Sequence, residues 1–134
     1  MPTALVIDDQ PNMRALISAI LSRKGFEVIT AEDGRRVEQT LNDIQLDLVV
    51  TDIFMPNADG IEVIRALRRH NRSLPVIAVS GAEYTAEADF LRMAKMMGAS
   101  GTLRKPFQPK ELTDVVDRLL NLPGLGLPPK LNGA

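Results

Sequence analysis

The chain has 134 residues, of which 45% are hydrophobic and 25% are charged, and its formal net charge is −1. This length and mixture predict one globular domain with a buried core, and the charge balance argues against broad electrostatic attraction to nucleic acid or an anionic membrane. The absence of cysteine excludes disulfides and thiolate metal sites, and the single histidine, His70, cannot form a His-rich metal cluster.

Apolar runs of strand length alternate along the chain with segments of helical periodicity. Residues 5–7 form a continuous apolar run, which is typical of a strand buried on both faces. A helix ending at Lys24-Gly25 is predicted next from an apolar stripe of Met13, Leu16, Ile17, Ile20 and Leu21. Residues 26–30 alternate between inward and outward positions, which predicts an edge strand.

The middle of the chain repeats this pattern. Residues 48–51 predict another buried strand, and residues 59–70 predict a third helix. The second helix precedes them, and one of its faces is indicated by Val37, Leu41 and Ile44. In the third helix we expect buried residues on one face and a solvated opposite face: the first set is Ile61, Ile64 and Leu67, and the second is Arg65, Arg68 and Arg69.

The last third of the chain completes the alternation. Pro75 precedes a buried strand at residues 76–79, and a fourth helix over about residues 86–97 ends at Gly98. Residues 101–104 predict a short strand, and Pro109 suits the first turn of a fifth helix with the stripe Leu112, Val115, Val116, Leu119 and Leu120. Five such βα units predict an α/β fold, in which helices cover both faces of a parallel sheet.

The two ends of the chain carry less information. The first ten residues, MPTALVIDDQ, lack the basic segment, long apolar run and cleavage site of a secretory signal. No apolar stretch reaches the roughly 18 residues of a membrane span, so we expect a cytoplasmic protein without membrane contacts. We expect one domain over residues 1–121, followed by a flexible Pro/Gly-rich tail over residues 122–134.

Polar residues follow four of the five strands at the point where each strand ends. Asp8 and Asp9 follow the first strand, and Asp52 follows the third. Ser80 follows the fourth strand, and Lys105 follows the fifth. Ligands of open parallel sheets bind outside the carboxyl ends of the strands, so we expect these side chains to converge. Crowded carboxylates repel one another, and Mg²⁺ relieves that repulsion while keeping room for a phosphate. Mg²⁺, Lys105 and the Ser80 hydroxyl could each bind one oxygen of a phosphoryl group. Asp52 would then remain as the nucleophile.

These residues stand in motifs that resemble the receiver domains of two-component response regulators over about residues 3–120, with a layout similar to single-domain chemotaxis-type regulators. The motifs are Ile7-Asp8-Asp9 with Met13-Arg14, the segment DIFMPNADG at residues 52–60, Ser80, the segment GASG at residues 98–101, and Lys105-Pro106-Phe107. The resemblance implies a doubly wound, flavodoxin-like sheet of five parallel strands in the order 2-1-3-4-5.

The resemblance also implies a phosphodonor and a set of metal ligands. Asp52 would accept the group from the phosphohistidine of a sensor histidine kinase or a phosphotransfer protein. Mg²⁺ would be bound directly by Asp9, Asp52 and the main-chain carbonyl of Phe54. Asp8 would act mainly through water.

Two further roles are implied for the other site residues. Lys105 would pair with a phosphoryl oxygen, and its peptide bond to Pro106 is often cis in this family. Ser80 would move toward the phosphate and pull its loop along, switching contacts with a downstream protein. The fourth helix is a candidate contact face because it carries a stripe of three methionines, Met93, Met96 and Met97. Half of that stripe must belong to the core, and the remainder could contact the partner.

Other functions stay open on the sequence alone. A phosphate sink or a relay to a phosphotransfer protein would use the same Asp52 chemistry. An aspartate-nucleophile phosphatase normally carries a second Asp two residues after the nucleophile, where this chain has Phe54, so we expect no turnover of outside substrates. A scaffold that works without phosphorylation is disfavoured because all five site residues are present. The oligomeric state stays open.

Each site residue also has a plainer structural explanation. The pair Asp8-Asp9 could cap a helix, Asp52 could belong to a turn before Pro56, and Lys105 could be a solvated surface lysine. Their placement at successive strand ends favours the site over these explanations.

Two features depart from the family pattern. Thr102 stands where receiver domains usually carry an aromatic residue that changes rotamer when the hydroxyl residue moves, and threonine is too small for that motion. The stretch from Ser80 to Gly98 is longer than in the commonest members, so we expect a larger loop that includes Tyr84. We therefore expect signalling to pass mainly through residues 80–85 and the fourth helix.

Overall fold

The computed structural model describes residues 1–53, 60–81 and 87–120. The five strands are β1 (Thr3–Ile7), β2 (Glu27–Ala31), β3 (Leu48–Asp52), β4 (Val76–Ser80) and β5 (Gly101–Arg104). The five helices are α1 (Pro11–Arg23), α2 (Val37–Asp43), α3 (Gly60–His70), α4 (Glu87–Met97) and α5 (Pro109–Leu120). Within these described segments, no helix is long and apolar enough to cross a bilayer.

All five strands are parallel and lie in the order β2-β1-β3-β4-β5, which confirms the predicted fold. The strands β3 and β4 are buried along their whole length, because helices cover both of their faces. The strand β2 lies at an edge and is only partly buried, as its mixed sequence predicts. The register sets Leu5 of β1 opposite Ile29 of β2 and Val49 of β3.

The core has two layers, one on each face of the sheet, because side chains alternate along each strand. Leu5 and Val49 contribute to the layer that packs against α2, α3 and α4. Val6 and Val50 contribute to the opposite layer, against α1 and α5. Helices on both faces leave the carboxyl ends of the strands as an edge of the sheet, and the candidate site residues lie there.

Two sequence predictions about buried helix faces are wrong. Leu16 belongs to the predicted stripe of α1, but it is 40% exposed, whereas Ile17 and Leu21 are buried. Adjacent helical positions differ by about 100° in direction, so Leu16 falls on the side of the stripe that faces solvent. Ile44 lies beyond the end of α2, in extended backbone, and is 38% exposed.

Arg68 was expected in solvent, and this prediction is also wrong. Its guanidinium is part-buried and donates from Nε to the carbonyl oxygen of Gly98 at 2.7 Å and from Nη1 to that of Leu74 at 2.6 Å. From Nη2 it donates to Ser100 Oγ at 3.1 Å, and this oxygen also accepts a hydrogen bond from the Val76 amide. Arg68 therefore joins the end of α3 to the start of β4 and to the turn between α4 and β5.

Gly98 fits this arrangement for two reasons. Its φ of +101° lies in the left-handed region that ends helices and favours glycine. A Cβ atom there would also lie 3.1 Å from two atoms of the Arg68 side chain. The prediction that α4 stops at Gly98 is confirmed.

Several sequence predictions concern residues outside the described segments. These are the metal-binding carbonyl of Phe54, the loop with Tyr84, and the tail over residues 122–134. The predicted burial of Ile61 likewise concerns a side chain outside the described part of the chain. The domain boundary at residue 121 stays a prediction.

Replacing Arg68 with Met should lower the free energy of unfolding by about 2–3 kcal/mol, because the carbonyl groups of Gly98 and Leu74 lose a charged donor. Urea denaturation measures this change. Arg65→Met is the matched control on the same helix: its pair with Glu62 is exposed, so we expect a change within about 0.5 kcal/mol. Equal changes in the two variants would contradict this account of Arg68.

Candidate functional site

The carboxyl ends of four strands bring the predicted site residues to one edge of the sheet. Asp8 follows the last residue of β1, and Asp52 is the last residue of β3. Ser80 is the last residue of β4, and Lys105 follows the last residue of β5. The Lys105 amide donates to the Ser80 carbonyl at 2.8 Å, which holds the ends of β4 and β5 together.

Three carboxylates form the acidic part of the site. Asp8, Asp9 and Asp52 each offer one oxygen, and the three oxygens lie within 4.8 Å of one another. Asp8 is 1% exposed and Asp52 is 5% exposed, whereas Asp9 is partly buried. Carboxylates this close and this poorly solvated repel one another, so the site needs positive charge.

Lys105 supplies part of that charge. Its Nζ lies 3.0 Å from Asp8 Oδ2, 3.1 Å from Asp52 Oδ2 and 3.5 Å from Gln10 Oε1. Burial lowers the pKa of Lys105, but the hydrogen bond with Asp8 and the charge of Asp52 outweigh burial and raise the pKa above its usual value. The ammonium group is therefore charged at neutral pH. The Lys105–Pro106 peptide bond is cis, as the resemblance implies.

The turn between β1 and α1 holds Asp8 by its side chain and by its main chain. Asp8 Oδ1 accepts a hydrogen bond from the Gln10 amide at 2.9 Å, and the carbonyl oxygen of Asp8 accepts one from Arg14 Nη1 at 2.7 Å. Gln10, not Asp8 or Asp9, is the N-cap residue of α1. Helix capping therefore does not explain the acidic pair.

Gln10 and Arg14 are site residues to which the sequence analysis assigned no role. Pro11 marks the start of α1, and a helix that starts there places Gln10 beside the acidic pair. The motif around Arg14 contributes to the resemblance, but no pattern in the sequence indicates a bond from its guanidinium to a main-chain carbonyl.

Ser80 contributes a hydroxyl group that is completely buried. Among residues 1–53, 60–81 and 87–120, no group forms a hydrogen bond with Ser80 Oγ. A buried hydroxyl without a partner costs free energy, and such groups in native proteins often serve a ligand. Its donor hydrogen suits an anionic oxygen.

These residues fit a hard divalent cation together with a phosphoryl group. Three carboxylates and one ammonium group leave two negative charges unbalanced, and carboxylate oxygens are ligands that Mg²⁺ prefers. Asp8, Asp9 and Asp52 can hold the cation. The Lys105 ammonium group, in contact with Asp52, and the Ser80 hydroxyl at the end of the neighbouring strand are groups that can bind the oxygens of a phosphoryl group on Asp52. The predicted ligand Phe54 lies outside the described residues.

Comparison with known proteins supports one family. A family model described as the response regulator receiver domain matches residues 4–117. Regulatory protein AtoC of Escherichia coli is 36% identical over 119 residues, which cover 88% of this chain and 25% of AtoC. The alkaline phosphatase synthesis transcriptional regulatory protein PhoP of Bacillus subtilis is 32% identical over 124 residues, which cover 92% of this chain and 50% of PhoP. The chain thus spans between a quarter and a half of these two relatives.

Solved structures agree with this result. The chemotaxis protein CheY4 of Vibrio cholerae has a TM-score of 0.78 and 31% sequence identity, and the match covers 90% of this chain and 99% of that one. NtrX of Brucella abortus has a TM-score of 0.81 and 31% identity, with coverage of 90% of this chain and 27% of NtrX.

Replacing Lys105 with Met should lower the free energy of unfolding by about 3 kcal/mol without added metal, because Asp8 and Asp52 stay buried without their counter-charge. Urea denaturation measures the loss. The control is Lys110→Met: its pair with Asp114 is exposed, so we expect at most about 0.5 kcal/mol. Added Mg²⁺ should restore part of the loss in the Lys105 variant only.

The same pair of variants tests the raised pKa of Lys105. The stability that this lysine contributes is present in full below the pKa of an unfolded lysine, about 10.4, and is lost as pH rises through the higher folded-state value. The difference between wild type and Lys105→Met should therefore stay constant from about pH 7 to pH 9. A difference that shrinks within this range would contradict the raised pKa.

Proposed function

Because the chain belongs to the response regulator receiver domain family of two-component signalling, we propose that it accepts a phosphoryl group on Asp52, with Mg²⁺ as cofactor, and thereby switches its contacts with other proteins. The observation that carries the proposal is the position of Lys105 Nζ, about equally far from Asp8 and Asp52 within a cluster of three carboxylates. The phosphodonor is a sensor histidine kinase or a phosphotransfer protein.

The reaction is an in-line displacement at phosphorus. An oxygen of the Asp52 carboxylate forms a bond to phosphorus while the bond between phosphorus and the donor imidazole nitrogen breaks, and the nitrogen keeps the electron pair. Phosphoryl transfer of this kind needs little from a protein beyond positioning and charge neutralisation. The site offers both, because its side chains are held at the ends of the strands and Lys105 supplies positive charge.

Each residue of the site has a defined task in this proposal, and Asp52 is a metal ligand as well as the phosphoryl acceptor. Asp8, Asp9 and Asp52 would hold Mg²⁺, with the Phe54 carbonyl as a further predicted ligand; bound Mg²⁺ neutralises charge on the phosphoryl oxygens. Lys105 pairs with a second phosphoryl oxygen, exchanging part of its contact with Asp52. The buried hydroxyl of Ser80 donates to a third oxygen and acquires a partner when it does so.

The output is a change in protein contacts rather than turnover of a substrate. Phe54 replaces the second aspartate that a phosphatase of this type needs, so Asp52 undergoes only its own phosphorylation and dephosphorylation. A phosphate sink or a relay uses the same acceptor, and only its phosphate recipient differs. The expected absence of nucleic-acid contacts and the cytoplasmic location stay predictions.

The exposed side of α4 is the proposed contact face for the downstream protein. Met93 and Met97 pack against the core, which accounts for part of the methionine stripe. Met96 is 81% exposed, and its flexible thioether suits an adaptable surface. The chain leads from Ser80 into α4, so a shift of Ser80 toward a phosphoryl group acts on this helix first.

Wild-type protein incubated with acetyl phosphate and Mg²⁺ should gain the mass of one phosphoryl group, as measured by intact mass spectrometry. Asp52→Asn should gain nothing, because the amide is not a nucleophile, and removal of Mg²⁺ by a chelator should also prevent the gain. The control Asp114→Asn changes an exposed carboxylate on α5 and should react as wild type does. A wild type that gains no mass would refute the proposed function.

Beryllofluoride with Mg²⁺ mimics the phosphoryl group and should change amide hydrogen exchange mainly at Ser80, Gly81 and α4. The physical reason is that Ser80 ends β4 and precedes α4 in the chain. The Asp52→Asn variant provides the baseline. Changes confined to α1 and α2 would contradict the proposed route to the contact face.

A further inference from the structure

We propose that Arg14 is a positioning residue for the cation: its guanidinium fixes the peptide between Asp8 and Asp9, so that both carboxylates face one binding site. This inference rests on the proposed function, because it concerns cation binding at the same site. The juxtaposition that carries it is the hydrogen bond of 2.7 Å from Arg14 Nη1 to the carbonyl oxygen of Asp8.

The hydrogen bond from Arg14 to Asp8 lies at the point where the chain leaves the sheet after β1. The last residue of β1, Ile7, is paired with Ala31 on one side and Thr51 on the other. One residue later the Asp8 amide still donates to the Ala31 carbonyl at 3.1 Å, whereas the Asp8 carbonyl accepts from Arg14. Arg14 thus supplies an anchor just past the end of the ladder.

The orientation of the peptide between Asp8 and Asp9 matters most for the Asp9 side chain. The carbonyl of Asp8 and the amide nitrogen of Asp9 belong to one planar peptide unit, so its orientation sets a backbone dihedral of each residue. The Asp8 carboxylate is held separately by Lys105 and by the Gln10 amide. The Asp9 carboxylate depends on the peptide plane, and a rotation there would turn it away from Asp52.

Arg14 is itself well anchored. It is the fourth residue of α1, and its amide donates to the carbonyl of Gln10 at 3.0 Å in the first turn. Side chains of a helix lean toward its N-terminus, which brings the Arg14 guanidinium back over the turn. The side chain is half-buried, so it is confined to few conformations. The helix therefore acts as a rigid support for the peptide.

The guanidinium has a second effect, of opposite sign. Its positive charge near the acidic cluster repels a divalent cation, so loss of the charge alone would tighten cation binding. Loss of the hydrogen bond would loosen cation binding, because the partners that orient metal ligands strongly affect affinity. The sign of the change on removal of Arg14 therefore separates positioning from electrostatics.

The test measures Mg²⁺ binding to the full chain by isothermal titration calorimetry. Arg14→Met should weaken Mg²⁺ binding about tenfold, as expected for the loss of a group that orients a ligand. Arg23→Met is the matched control, because it removes the same charge from an exposed side chain at the other end of the same helix, and it should bind Mg²⁺ as wild type does. Urea denaturation of each variant establishes that it is folded.

A second readout follows phosphorylation by acetyl phosphate at increasing Mg²⁺. In Arg14→Met the Mg²⁺ concentration for half-maximal rate should rise about tenfold. The rate at saturating Mg²⁺ should return to the wild-type value, because Asp52 and Lys105 are unchanged. If Arg14→Met does not fold, Arg14→Gln should show the same two changes, since its shorter side chain also lacks the guanidinium.

Tighter or unchanged Mg²⁺ binding in the folded variant would overturn the inference while leaving the proposed function intact. A saturating rate that stays low in proportion to the loss of affinity would also overturn it, because general damage to the site would then explain both. Failure of the wild type to bind Mg²⁺ or to accept a phosphoryl group would instead refute the proposed function itself.

Discussion

The contact of Lys105 with Asp8 and Asp52 is the interaction on which the rest of the site depends. Two nearly buried carboxylates and a partly buried third cannot share a few ångströms without positive charge, because the protein solvates them poorly. One ammonium group compensates this repulsion in part, and two of the three negative charges remain unbalanced. The arrangement that permits the folded state without metal therefore also suits the divalent cation of the proposed function.

The order of the strands decides which residues share this edge. With β1 beside β3, Asp8 and Asp52 become neighbours although they are far apart in sequence. The helices that follow these two strands, α1 and α3, lie on opposite faces of the sheet. Ligands of doubly wound sheets bind where the direction of winding changes, and the site lies at such a position. Lys105 reaches it from β5 across β4, which requires a long side chain.

The surroundings of the site differ in how firmly they are held. Arg68 binds the main-chain carbonyl of Leu74, just before β4, and that of Gly98, just after α4. The second of these bonds fixes the end of α4. Displacement of α4 at that end would break hydrogen bonds to a part-buried charge, whereas Ser80 begins without a hydrogen-bond partner within the described segments. In the proposed function, a shift of Ser80 would therefore act on a helix whose C-terminal end is anchored by Arg68.

The sequence by itself determined the five βα units and the edge position of β2, because strands buried on both faces leave continuous apolar runs. It also determined which polar residues lie at the carboxyl ends of the strands, because parallel strands end at one edge: Asp8, Asp9, Asp52, Ser80 and Lys105. Only the tertiary structure decided that Arg68 turns inward, that Leu16 and Ile44 are exposed, and that Arg14 binds the carbonyl of Asp8. Periodicity assigns a residue to a helix face but does not fix the width of that face. A bond to a main-chain carbonyl, even one 30 residues away, leaves no mark in the sequence because every residue has that carbonyl.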